Sequence, residues 1–296
     1  MSDTAALPKL MRRWTRWAGR LGLSSAARTP EPAAAGQSSA APDAARGFFR
    51  TLERHSHAHA LPVDVEACPH ELARLAARVT ASWAAMGEAE PHWSVVTREE
   101  YRADRIAETE TDFYRSGERS LSYLLAALAR CGIAPERIGH ATDFGCGVGR
   151  VSAAMARQGW QVTAGDISPG HLAVAARHFS KAGLDLAETT RLDGLEAIDA
   201  LPETDLFYSL IVLQHDPPPL IAETLRRALA RVRPGGLAYF QVPVYREGYA
   251  YDLAADLARE ERSMEMHVLP APHVFRILDE AGFRPLEVTS DCSLEE

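Results

Sequence analysis

The sequence predicts an α/β fold: a Rossmann-like, doubly wound and mostly parallel sheet with helices on both faces, preceded by an N-terminal helical segment. Three observations predict it. Residues His140 to Val151 pass from a short apolar run through Asp143-Phe-Gly-Cys-Gly-Val-Gly149 into an alanine-rich helical pattern. That is a strand, a tight turn and a helix start, with glycines where backbone must come close to a ligand. Beyond it, apolar runs of strand length alternate with helix-period stretches as far as Thr289, as repeated βα units with right-handed crossovers require. Ahead of it, some 85 residues read as mostly helix before the first strand signal.

The bulk composition narrows the class. The chain has 296 residues, enough for one large domain or a domain with a smaller partner. A net charge of −8 and a pI near 5.8 give no global reason to expect nucleic-acid binding. Cys68, Cys131, Cys146 and Cys292 have no CxxC spacing and read as reduced thiols, not as a zinc site or a disulfide framework. No apolar run approaches the roughly 20 residues of a membrane span. The first residues lack the apolar core of a secretory signal, so a cytoplasmic protein is expected.

Taken in order, residues 1–45 read as a basic, Ala/Pro-rich tail, 46–135 as a helical cap or substrate segment, and 136–296 as the ligand-binding domain. Within the tail, residues 7–28 set Lys9, Arg12, Arg13, Arg16 and Arg20 among Leu7, Leu10, Trp14, Trp17 and Leu21 at three- and four-residue steps. Such a helix suits peripheral contact with an anionic inner-membrane surface or with a protein. Thr29 to Ala45 is too poor in large side chains to order itself and reads as a linker. His55, His57, His59 and His70 point to different faces and have no completing partner, so no metal is expected. Leu72, Leu75, Val79, Trp83 and Met86 form a core-facing helical stripe. A charged helix is expected at 98–110, a break at Thr111 to Gly117, and a further helix at 118–130.

After the glycine turn, Trp160 to Asp166 reads as a second strand, and Ser168-Pro169 caps a helix running to about Lys181. Ala187 to Asp193 is the third strand. The nearly continuous apolar run Asp205 to His215 reads as a central strand buried on both faces. A helix from Leu220 to Val232 stops at Arg233-Pro-Gly-Gly236, and Leu237 to Val244 is the fifth strand. A helix at 273–281, closed by Gly282, leads to a sixth strand at 284–289.

In such sheets a ligand lies at the carboxyl ends of the strands. Here those ends carry Gly145 to Gly149, Asp166, Asp193-Gly194 and Gln214-His215. An acid ending the second strand suits a ribose diol, and an acid ending the third suits an adenine edge. With Asp-Phe-Gly-Cys-Gly-Val-Gly at 143–149, Asp166, Asp193-Gly194, Leu-Gln-His at 213–215 and Arg-Pro-Gly-Gly at 233–236, the sequence resembles the class I S-adenosylmethionine-dependent methyltransferases over about residues 136–291.

The resemblance implies S-adenosyl-L-methionine as cofactor. It implies that Gly145, Gly147 and Gly149 face the methionine part, Asp166 the ribose and Asp193-Gly194 the adenine, with Asp143, Cys146, Ile167 and Gln214 also at the cofactor. His92-Trp-Ser-Val-Val-Thr97 and Phe113-Tyr-Arg-Ser-Gly117 resemble segments that precede one subset of that superfamily, seen near glycan-assembly enzymes. In that reading Tyr114, Ser116 and Gly117 fold over the cofactor as a lid. The family's sheet ends in a hairpin and an antiparallel seventh strand. Here that strand looks missing or truncated, which would leave an exposed edge.

The function expected is methyl transfer to a small-molecule or glycan acceptor, as O-methylation. His215, ending the fourth strand, is the candidate base, with His92, Tyr245 and His267 as weaker candidates near the pocket mouth. Three alternatives remain open. A nicotinamide-dependent oxidoreductase would prefer G-x-G-x-x-G to the G-x-G-x-G found here. A non-catalytic cofactor-binding partner protein is the second. A nucleic-acid methyltransferase would place an aromatic where Asp216-Pro-Pro-Pro219 has proline.

Overall fold

The computed structural model describes residues 61–259 and 265–290. The basic segment 7–28, the linker, His55, His57, His59 and Cys292 lie outside the described residues.

The described chain opens with helix α1 (Pro69–Ala89). Pro69 takes the first helical position, and the Cys68 N–H donates to Glu71 Oε2 at 2.8 Å, so two features of a helix start coincide. A tight turn over 91–96 and a 3₁₀ turn (Glu99–Tyr101) lead to α2 (Ile106–Arg130). The break expected at 111–117 is absent, because α2 runs through it. Gly117 sits in mid-helix for a packing reason. A Cβ there would collide with the Arg150 backbone, so glycine lets α2 cross the first turn of the next helix.

The βα alternation then follows in order: β1 (His140–Phe144), α3 (Arg150–Arg157), β2 (Gln161–Asp166), α4 (Pro169–Ala182), β3 (Ala187–Arg191), α5 (Leu195–Asp199), β4 (Thr204–Ser209), α6 (Pro218–Leu229), β5 (Val232–Phe240), α7 (Leu253–Leu257) and α8 (Ala271–Glu280). The strands form one parallel sheet in the order β3-β2-β1-β4-β5. The order reverses between β1 and β4, which is where ligands enter such sheets.

Each face has its own core. Phe144 and Phe207 pack with Leu75 and Val79 of α1, Leu225 of α6 and Ile277 of α8. Ala141, Leu206 and Tyr208 pack on the opposite face with Leu121 and Leu124 of α2 and Met155 of α3. Thus Leu206, Phe207 and Tyr208 form an unbroken apolar run in the middle of β4, because alternate side chains enter two different cores. α1 shares the first core with the sheet, so the cap segment is built into the domain.

Three sequence expectations are corrected. The fourth strand stops at Ser209 instead of continuing to His215. Ile211 takes a positive φ of 60°, its N–H donates to Gln241 Oε1 at 3.0 Å, and Leu213–His215 is a 3₁₀ turn. The fifth strand begins at Val232, taking in the Arg233–Gly236 stretch across a register shift at Thr204/Leu206. No sixth strand forms at 284–289. Leu286 and Val288 are 55% and 59% exposed, and no described strand covers the outer edge of β5 for this segment to join through. No described helix is long and apolar enough to cross a membrane.

Candidate cofactor-binding and active site

The glycine turn is fastened to the second strand by backbone. The N–H groups of Gly145 and Cys146 both donate to the Gly165 carbonyl, at 2.7 and 2.9 Å. Gly145, Gly147 and Gly149 all have positive φ, 75°, 55° and 79°. A Cβ at Gly145 would collide with Val212, and one at Gly147 with Val95, so only glycine lets these two side chains pack directly on the turn. Cys146 is buried, and burial together with Asp166 and Asp143 pushes its thiol well up, so it is an unreactive packing group.

Two acids flank this turn. Asp143 is 3% exposed and accepts a 2.5 Å hydrogen bond from Ser152 Oγ. Burial raises its carboxyl to about 6, against the opposing pull of Ser152 and Arg150. Asp166 accepts from Gly147 N–H at 2.8 Å on Oδ2 and from Ser168 N–H at 2.8 Å on Oδ1. The acid at the end of β2 therefore also holds the glycine turn. Ile167 is half-buried beside it and packs into the first core. Asp193 is exposed at the rim, 3.5 Å from Arg191 Nε, and Gly194 (φ 149°) starts α5.

At the end of β4, Gln214 is 2% exposed and His215 is half-buried. Gln214 Oε1 and His215 Nδ1 are buried without a hydrogen-bond partner. A buried unpaired polar atom is costly, and these two adjoin one another in the turn that follows β4. Trp83 of α1 stands edge-on to His215 at 5.1 Å and tilted to His171 at 6.2 Å, bridging the loop after β4 and the start of α4. Desolvation lowers the His215 imidazole to about 4, against the opposing pull of a backbone hydrogen bond with Glu265. His267 joins this end of the site: its N–H donates to the Gln214 carbonyl at 2.7 Å, and Nδ1 is 2.9 Å from Tyr249 Oη.

The structure thus brings together Asp143, Gly145, Gly147, Asp166, Gln214 and His215, with Asp193 at the margin. Tyr114 and Gly117 approach the glycine turn and the helix after it from the side of α2. Tyr114 Oη is 3.4 Å from the Val148 carbonyl and its ring stacks on His178, while Gly117 abuts Arg150. His92 turns toward Phe113 and lines a cavity of about 390 Å³ with Tyr114, Arg177 and Lys181. Tyr245 is half-buried in the segment after β5. Sequence reasoning did not single out Trp83's place over the site, nor His171. The spacing Asp166-x-Ser168-x-x-His171 was the available signal, since it puts the histidine in the first turn of α4 beside the strand-end acid.

A methyltransferase-domain family model matches residues 141–236. A ubiquinone biosynthesis O-methyltransferase of Methylobacterium sp. (strain 4-46) is 33% identical over 175 residues, covering 54% of this chain and 68% of the relative. An S-adenosyl-L-methionine-dependent Diels-Alderase of Neonectria sp. (strain DH2) is 33% identical over 183 residues, covering 59% and 68%. A ubiquinone biosynthesis O-methyltransferase of Stutzerimonas stutzeri (strain A1501) is 35% identical over 112 residues, which is 38% of this chain, and the match spans 47% of that relative's length. Among solved structures, magnesium protoporphyrin IX methyltransferase from Synechocystis PCC 6803 with bound S-adenosylmethionine is 17% identical with a TM-score of 0.47, covering 70% of this chain and 86% of the other. With 33% identity over two thirds of two relatives, the chain belongs to the class I S-adenosylmethionine-dependent methyltransferase superfamily, and S-adenosylmethionine is its cofactor.

Proposed function

We propose that the chain transfers a methyl group from S-adenosylmethionine to a hydroxyl of a small-molecule acceptor, in a cleft bounded by the glycine turn, Asp166 and the end of β4. The observation that carries this reading is the pair of unpartnered buried atoms, Gln214 Oε1 and His215 Nδ1, beside that turn. The cofactor, when bound, supplies an electrophilic methyl on a sulfonium. The remaining work belongs to the chain. Asp143 offers a buried carboxylate to the cationic end, Asp166 an acceptor to the ribose, and Asp193 a rim acceptor to the adenine. Trp83 and Val95 exclude water from above. His215 is neutral at physiological pH, so a ring nitrogen is open to a hydroxyl proton from the acceptor.

O-methylation is supported by kinship to the named O-methyltransferases. The His-Trp-Ser segment keeps glycan hydroxyls among the acceptors to be tried. A second reading has its own support. A ring protonating only near pH 4 is a weak proton acceptor, which favours cofactor-dependent chemistry without methyl transfer, as the name of the Diels-Alderase relative implies for that protein. The experiment is incubation with methyl-labelled S-adenosylmethionine across phenolic, quinol and glycan acceptors, with S-adenosylhomocysteine quantified. Methyl transfer expects label in one acceptor class and equal release of S-adenosylhomocysteine. Tight cofactor binding with no release on any acceptor favours the second reading.

A further inference from the structure

Between the cap and the ribose acid runs a buried hydrogen-bonded array. His171, 1% exposed in the first turn of α4, points Nδ1 at Asp166 Oδ1 (3.4 Å) and Nε2 at Ser94 Oγ (2.8 Å). Ser94 is 4% exposed and belongs to the His92–Thr97 segment, whose Oγ also lies 3.2 Å from the Pro91 carbonyl. The segment is firmly seated. Trp93 is fully buried beside Met86 and Trp83, with the Arg102 guanidinium 4.4 Å above its ring. The array exists because two backbones nearly touch. A Cβ at Gly170 would meet the Gly87 carbonyl, and one at Gly87 would collide with Ser168 Oγ. Two glycines therefore let the end of α1 rest on the start of α4, which brings Ser94 within reach of His171.

The arrangement matters for Asp166. A carboxylate offers about four lone-pair sites. With the His171 proton on Nδ1, so that Nε2 accepts from the Ser94 hydroxyl, Gly147 N–H, Ser168 N–H and His171 Nδ1–H take three of them, two on Oδ1 and one on Oδ2. The open site is on Oδ2, and the rotation of the carboxyl group decides where it points. Ser94 fixes the His171 ring, and the ring fixes Oδ1.

We propose that Ser94, acting through His171, is a positioning residue for the ribose of the cofactor, making cap and cofactor site one unit. This deepens the cofactor reading above and rests on it. It also gives a physical role to the serine of the His-Trp-Ser segment. Ser94 touches no reacting atom; it sets the orientation of an acceptor two side chains away.

The test is calorimetric binding of S-adenosylhomocysteine and of its 2′,3′-dideoxyribosyl counterpart to the wild type and to Ser94→Ala. Hydrogen bonds to charged groups predict that the wild type prefers the ribose ligand by roughly 10- to 100-fold. In Ser94→Ala the ribose ligand should weaken about 3- to 10-fold while affinity for the dideoxy ligand stays the same, so the preference shrinks. Ser94→Cys, which keeps a weak donor of similar size, should fall between, and it serves as the readout if the alanine variant is poorly folded. Equal losses for both ligands would reduce Ser94 to a packing residue and overturn the proposal, as would no loss for either. A wild type that binds neither ligand overturns the cofactor reading itself.

Discussion

Burial pushes the Asp143 carboxyl up to about 6, while its unfolded value is near 3.8. The raised value fixes the sign of the pH dependence. Between the two values the folded chain holds the proton more tightly, so stability contributed at low pH is lost as pH rises through about 6. A shift of this size is worth about 1–3 kcal/mol at neutral pH, at 1.36 kcal/mol per unit. Asp143→Asn removes the buried charge and keeps a partner for Ser152, so thermal melts at pH 7 should show it more stable than the wild type. The gap should close at pH 4. Cofactor binding has the opposite sign: a cationic ligand favours the ionised acid, so wild-type affinity should fall as pH drops below about 6, by up to tenfold per unit. Titrations from pH 5 to 8 check this. At Asp166, replacement by alanine removes an acceptor and a tie to Gly147, and binding should weaken by about 1–3 kcal/mol. His215→Ala should lower turnover more than cofactor affinity; equal turnover would make it a loop residue.

At the scale of elements, the glycine turn and its flanking strands were legible in the sequence because their physics is local. Asp143 to Gly149 needs positive φ three times, and Ser168-Pro169 opens α4 with its own cap, the Ser168 side chain accepting from His171 N–H at 3.3 Å. Errors arose where tertiary packing overrides local pattern. Leu210 to Leu213 is apolar because a turn is buried there, and a short apolar run does not distinguish buried turn from strand. Gly117 looked like a helix breaker but marks a helix crossing. That crossing makes a prediction: Gly117→Ala drives a methyl into the Arg150 backbone and should cost about 1–3 kcal/mol as overpacking, measured by denaturant unfolding. The segment 284–289 has strand composition, yet it stays exposed and does not pair with the outer edge of β5. The Ser94-His171-Asp166 array spans 77 residues of chain between its first two members, a separation that spacing rules cannot see.

For the molecule as described, helix α1 is folded into the core of the sheet domain. Leu75 and Val79 of α1 share a core with Phe207 and Leu225, and Trp83 spans the two sides of the cleft. Cap and sheet should unfold together, so tryptophan fluorescence and far-ultraviolet circular dichroism should give coincident urea transitions. An earlier fluorescence transition would mean the cap unfolds by itself. The account as a whole depends on one ligand occupying the cleft between Asp143, Asp166 and Gln214. Its most direct test is calorimetric titration of the wild type and Asp166→Ala with S-adenosylhomocysteine, with NAD as control. One site on the wild type, clearly weaker binding by the variant and no heat from NAD is the predicted result. Binding of NAD but not S-adenosylhomocysteine, or affinity indifferent to Asp166, would contradict it.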